Sequence, residues 1–327
     1  MSRMIIGSGN FKYEFDPSWS EIEDSLDLVE VCGIAVDSLD RVYLFNRGPD
    51  PVIVLSNEGR YVTSWGKDLF SRPHGIYVDK NDAVYCTDVG NHTVRKFTPN
   101  GELLMTLGEK DSPSETGCQG RDYRTIKTAA GPFNAPTGVV VSDKEEIFVS
   151  DGYGNARIHK FSADGALLSS WGNPGDGMGE FNLPHAVAVS KDKTIYVADR
   201  ENNRIQVMSY EGIFIRQWKD IYRPTDIFID EDEYIYVAEL GHQVGITMGM
   251  SLPTKDSPHS CVSIYDPDGE LVCKLGDGEY RRLGNFYAAH AVCVDSRRNL
   301  YIGEVIWAVS KGNPPAGTRV LQKLCRT

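Results

Sequence analysis

The chain has 327 residues, 41% of them hydrophobic, enough to bury a large core. Lys and Arg number 34 against 46 Asp and Glu, a net charge of −12 at pH 7, which argues against non-specific binding to nucleic acid and to anionic membranes. The N-terminal run MSRMIIGSGNFKYEF is too short in apolar residues for a signal peptide, and no stretch approaches the roughly 18 of a transmembrane helix. A soluble, cytoplasmic protein is expected, and its 7 cysteines, without a CxxC pair, suggest neither a disulfide framework nor a cysteine zinc ribbon.

Taken in order, the chain opens on an alternating segment, Phe11 to Phe15, and then repeats one unit six times. The copies start at Gly33, Gly75, Gly138, Ala186, Asp226 and Ala291, each heading a short apolar run such as GIAVD, GIYVD or AVAVS. Thirteen residues after each start stands Asn46, Asp88, Asp151, Asp199, Glu239 or Glu304, closing a second run such as RVYLFN or TIYVAD. Two β-branched runs joined by a polar turn form an antiparallel hairpin. Most units add a third strand and a fourth, some ending in Trp-Gly (Trp65-Gly66, Trp171-Gly172).

Four-stranded units of this size, repeated six times with almost no helical periodicity, predict an all-β fold, a six-bladed β-propeller. One domain spanning 1–327 is expected. The last unit lacks room for a fourth strand after Arg319 to Leu324, so Phe11 to Phe15 is predicted to pair there and close the ring. Long loops enter the third unit (Glu109 to Ala135) and follow the second strand of the fifth (Leu240 to Ser260) and sixth (Val305 to Gly317). All three fall on one face, where they would form a partial lid.

The residue before each unit start is Cys32, His74, Thr137, His185, Thr225 or His290. Histidine therefore recurs in alternate blades, about 120° apart, and three imidazoles in one register should converge on the axis as a trigonal metal site. A lone histidine there would more often cap a strand end; the spacing of the three argues for a zinc or similar divalent ion. His92, His159, His242 and His259 share no register and read as ordinary.

A second register, directly after the strand-two acid, carries Arg47 in blade 1 and Arg200 in blade 4. Opposed guanidiniums beside a metal suggest a small anionic substrate, because the fork matches a carboxylate; a surface ion pair is the plainer alternative. Tyr153 occupies a loop one residue longer than its counterparts, which should push the phenol toward the mouth, where it could transfer a proton. Packing across the loop is the alternative.

The strings VADRENNRIQV and TDVGNHTVRKF resemble NHL repeats. SDGYGNARIHKFSADG, GEFNLPHAVAV and VADRENNRIQ resemble the central motifs of the peptidyl-α-hydroxyglycine α-amidating lyase family, with weaker similarity over about residues 30 to 305. That resemblance implies a zinc-dependent lyase that cleaves a carbinolamide into an amide and glyoxylate. It further implies that His74 (RPHGI), His185 (LPHAV) and His290 (AAHAV) are zinc ligands, Tyr153 the catalytic tyrosine, and Arg47 (FNRG) and Arg200 (ADREN) active-site arginines.

There are departures. Gly154 stands where the family has a disulfide-forming cysteine. Ala289 and Ala291 flank His290 in place of the family's Pro-His-Asp, which puts its structural calcium in question. No copper monooxygenase partner domain is present, so a smaller substrate than a peptide is expected. The implied chemistry places the hydroxyl of an N-substituted α-hydroxyglycine at the metal, with Tyr153 as general base and Arg200 and Arg47 holding the carboxylate and the developing carbonyl charge. Alternative readings are a metal-dependent lactonase, which would more typically use carboxylate ligands on calcium, and a non-catalytic NHL scaffold without convergent ionisable groups.

Overall fold

A computed structural model describes residues 5–19, 26–241 and 257–327. Six antiparallel sheets form the blades of a propeller. The innermost strands, in blade order, are Val31–Val36, Pro73–Val78, Pro136–Val141, Pro184–Val189, Pro224–Ile229 and Ala289–Val294. The second strands end on Asn46, Asp88, Asp151, Asp199, Glu239 and Glu304, where the thirteen-residue spacing put them.

Those six terminal residues are buried, and each fastens its own blade. In every case a side-chain oxygen accepts a backbone N–H from seventeen residues earlier, on the chain entering the innermost strand: Val29 to Asn46, Ser71 to Asp88, Asn134 to Asp151, Asn182 to Asp199, Tyr222 to Glu239 and Tyr287 to Glu304. A buried acceptor with such donors is satisfied, so the polar residue can recur at the same depth in every blade.

Adjacent blades pack through an indole and a glycine. A Cβ on Gly101, Gly212 or Gly269 would lie 2.7, 2.4 or 2.8 Å from the indole of Trp65, Trp171 or Trp218 in the preceding blade. Each of these glycines also has positive φ, so turn geometry and packing both require that no side chain be present.

Blade 6 runs Ala289–Val294, Leu300–Glu304, Leu321–Arg326, then Phe11–Phe15 from the N-terminus, with Tyr13 opposite Arg326 and Phe15 opposite Leu324. A fifth strand, Ile5–Ser8, hairpins onto it; the sequence reading did not include it. Its alternation is weak because its residues are mostly exposed. Of the three long loops, most of the one in blade 5, with His242, lies outside the described residues.

Candidate metal and catalytic site

In every blade the register between strands one and two slips at one place. Val31 pairs with Asn46 and Gly33 with Phe45, leaving Cys32 as the extra residue of a β-bulge; Thr137, His185, Thr225 and His290 are bulged in the same way, and His74 lies within the corresponding slip of blade 2. A bulge re-aims the side chain it carries. Here it sets one residue per blade in the wall of the central channel.

The six bulge residues divide into two alternating sets. Nδ1 of His74 lies 2.6 Å from the Thr137 carbonyl, Nδ1 of His185 lies 2.6 Å from that of Thr225, and Nδ1 of His290 lies 2.8 Å from that of Cys32. A carbonyl only accepts, so each imidazole carries its proton on Nδ1 and presents a bare Nε2 inward. Cys32, Thr137 and Thr225 turn their own side chains back to carbonyls of the sheet (Phe45, Ser150 and Ala238), which holds the accepting backbone still.

The three rings stand 4.7 to 4.9 Å apart between centroids, and one ligand nitrogen from each lies within 4.8 Å of the others. Among the described residues this is the one group of three or more His, Cys, Asp or Glu side chains close enough to share a metal ion. Burial, then the neighbouring imidazoles and guanidiniums, hold His74 and His185 well below the ordinary histidine pKa. Burial, then Arg47, push His290 down to about 3. Three neutral lone-pair donors facing one point, with no donor hydrogen bonded to Nε2 of His290 among the described residues, fit a divalent transition ion with a further position open.

Tyr153 reaches the same point. Its hydroxyl lies 3.2 Å from Nε2 of His74 and 3.2 Å from Nε2 of His185, and Arg200 Nη1 lies 3.3 Å from the same oxygen. The loop lies close against its neighbours: a Cβ on Gly152 would stand 2.1 Å from the Pro184 carbonyl, and one on Gly154 2.1 Å from the side-chain oxygen Oδ1 of Asn134. A side chain at Gly154 would displace the Asn134 amide and press on the Asn134 carbonyl, 2.8 Å away. The blade 3 loop completes the clamp, with Thr116 Oγ1 donating to the Gly154 carbonyl and Cys118 Sγ 3.8 Å from that of Tyr153.

Both arginines of the second register reach the site, and both are already engaged. Arg200 is buried, with Nε and Nη2 each 2.8 Å from Glu201 Oε1. Arg223 Nη2 lies 3.0 Å from that same oxygen. Arg47 Nη1 lies 2.7 Å from Glu30 Oε2, and its Nε donates to the Pro73 carbonyl at 3.1 Å. The blade 6 loop secures this pair, because the amide of Ala308, in its single α-helical turn α1 (Ile306–Val309), donates to Glu30 Oε1.

Sequence reasoning passed over Glu30, Glu201, Arg72 and Arg223. The signal was available. Glu201 directly follows Arg200, while Glu30, Arg72 and Arg223 share the position two residues before Cys32, His74 and Thr225. Of the other histidines, His159 is buried between Ser170 and Asp151, His92 accepts the Ala135 amide, and His259 is exposed. The innermost strands enclose a channel cavity of about 310 Å3 whose lining includes the three imidazoles but neither Tyr153 nor the arginines.

A fold of six such blades with this register defines an NHL-repeat propeller, and the NHL repeat model matches residues 70–97, 133–161 and 181–208. The chain is 31% identical over 266 residues to peptidyl-alpha-hydroxyglycine alpha-amidating lyase 1 of Drosophila melanogaster, covering 76% of this chain and 45% of that one. It is 31% identical to human NHL repeat-containing protein 3, covering 70% and 67%, and 32% identical to rat peptidylglycine alpha-amidating monooxygenase, covering 68% and 25%. The chain thus spans less than half of the fly and rat relatives. It belongs to the family of NHL-repeat proteins that includes the fly lyase and the human protein.

Among solved structures, a gluconolactonase from Xanthomonas campestris aligns with TM-score 0.61 at 13% identity, over 98% of this chain and 91% of that one. Virginiamycin B lyase from Staphylococcus aureus aligns with TM-score 0.56 at 14% identity, over 92% and 82%. At such identity both speak to the fold alone. No helix among the described residues is long and apolar enough to cross a membrane.

Proposed function

We propose that the protein is a metal-dependent carbon–nitrogen lyase that cleaves an N-substituted α-hydroxyglycine, or a related carbinolamide, into an amide or urea and a glyoxylate-type product. The observation that carries this reading is the position of the Tyr153 hydroxyl, 3.2 Å from two of the three inward Nε2 atoms and 3.3 Å from a guanidinium nitrogen. The lyase name of the fly relative at 31% identity supports it.

His74, His185 and His290 would hold the metal, zinc or a similar divalent ion. Bound there, it supplies Lewis acidity that makes the carbinol hydroxyl proton easier to remove. Tyr153, as phenolate, takes that proton, and Arg200 stabilises the phenolate from Nη1. The hydroxyl oxygen becomes the carbonyl of glyoxylate as the C–N bond breaks, and the bonding pair leaves on nitrogen. The phenol then returns its proton to that nitrogen, so the site ends in the protonation state in which it began. Glu201, shared between Arg200 and Arg223, fixes the guanidinium that Tyr153 needs.

A lactonase reading draws support only from fold likeness, and an all-imidazole ligand set suits a transition ion better than calcium. A scaffold reading gives no reason for buried imidazoles to face one another. All 7 cysteines stand as free thiols, which supports the cytoplasm as the compartment. Continuous closure of the ring supports residues 1–327 as one domain. Elemental analysis combined with a glyoxylate-release screen over acyl and ureido α-hydroxyglycines tests the function. About one metal per chain and release from at least one member are expected; metal-free protein, or hydrolysis of lactones alone, would overturn it.

A further inference from the structure

The guanidiniums around the triad are not equivalent once their partners are counted. Arg47 is held by Glu30, and Arg200 and Arg223 share Glu201. Arg72 has no ion pair or side-chain hydrogen bond among the described residues, and it is exposed. Four guanidiniums thus face two carboxylates, and the mouth keeps a positive surplus in a chain whose net charge is −12.

Arg72 is also well placed. It stands two residues before His74, separated by Pro73, whose ring restricts the conformation of the residue before it. Its backbone is pinned at both ends: its amide donates to Asp88 Oδ1 at 2.9 Å, and its carbonyl accepts from Val89 at 3.1 Å. Its electrostatic neighbours are Arg47, Tyr153, Arg121 and Glu30, and His290 feels Arg72 together with Arg47 and Arg200. A fixed stem with an exposed head that no carboxylate holds, near enough for its charge to be felt at Tyr153 and His290, is the arrangement expected of a docking group. Arg200 cannot fill that role as well, because Nε and Nη2 are turned to Glu201 and Nη1 to Tyr153.

We propose that Arg72 docks the substrate's carboxylate and sets the preference for acids, while Arg200 serves the Tyr153 oxygen. The site would then select carbinolamides whose carbinol carbon bears a free carboxylate, rejecting the corresponding amide or ester. This rests on the lyase reading. Guanidinium on carboxylate is a charge-assisted, bidentate contact, and its loss should weaken acids far more than neutral analogues.

The test compares an N-acyl α-hydroxyglycine with its primary amide in zinc-reconstituted wild type, Arg72→Ala and Arg72→Lys, following release of the acyl amide. In Arg72→Ala, kcat/KM for the acid should fall about 10- to 100-fold more than for the primary amide, mainly through KM. Arg72→Lys should recover part of the preference. An unchanged acid-to-amide ratio in Arg72→Ala overturns the assignment and leaves the lyase reading intact. Should wild type cleave neither compound, the lyase reading fails, and calorimetric binding of glyoxylate decides Arg72: binding lost in Arg72→Ala sustains the docking role, and binding retained ends it.

Discussion

Arg200 Nη1 lies 3.3 Å from the phenol oxygen of Tyr153, and its carbon Cζ stands 5.4 Å from the centre of the Tyr153 ring. One guanidinium thus meets both the oxygen and the π-system of the same side chain. That double contact fixes the position of the oxygen the proposed base would use.

Replacing Tyr153 by Phe keeps the ring and removes only the ionisable oxygen. Turnover should fall by roughly 10²-fold or more, the usual scale for a general base, while metal content stays at the wild-type level. Near-wild-type turnover would reduce Tyr153 to a packing residue.

His185→Ala removes one of the three inward nitrogens and should lower metal content well below that of wild type. The blades are held by apolar packing, so the circular dichroism of a β protein should remain. Full metal retention after dialysis against a mild chelator would show that the ligand set lies elsewhere.

Glu201 Oε1 serves Arg200 and Arg223 together. Glu201→Gln leaves two buried guanidiniums without their counter-charge, a defect of the kind that costs about 3–5 kcal/mol. A lower urea midpoint is expected, with part of the loss regained in Glu201→Gln/Arg223→Met. A midpoint equal to wild type would mean that solvent already screens the pair.

The histidines also give stability a pH dependence. Burial, then Arg47, push His290 of the metal-free protein down to about 3, whereas an imidazole of the unfolded chain titrates near 6.5, so below about pH 6.5 the unfolded chain binds the extra proton. Stability should therefore fall with acid from about pH 6.5 toward 3. Chemical denaturation of metal-free protein between pH 4.5 and 5.5 should show a slope smaller by about 1.4 kcal/mol per pH unit in His290→Asn than in wild type. Equal slopes would mean that His290 protonates in the folded state.

The sequence by itself determined the repeat, its phase and the fold class. Those features depend on short-range periodicity: apolar runs, a polar turn, and an acid at constant spacing that caps its own blade. It also singled out His74, His185, His290, Tyr153, Arg47 and Arg200, because equal register in a rotationally repeating fold means equal height at the axis. Only the tertiary structure decided how those groups are held. The bulge that turns each imidazole inward leaves no mark in the residue pattern, and the carbonyls that orient the rings belong to Thr137, Thr225 and Cys32 of the following blades. Backbone acceptors are chemically silent in a sequence. The division of the arginines into engaged and free likewise waited on Glu30 and Glu201: Glu30 pairs with Arg47 from the chain entering the same blade, and Arg223 reaches Glu201 from the next blade, so both pairs depend on distance in space and not along the chain.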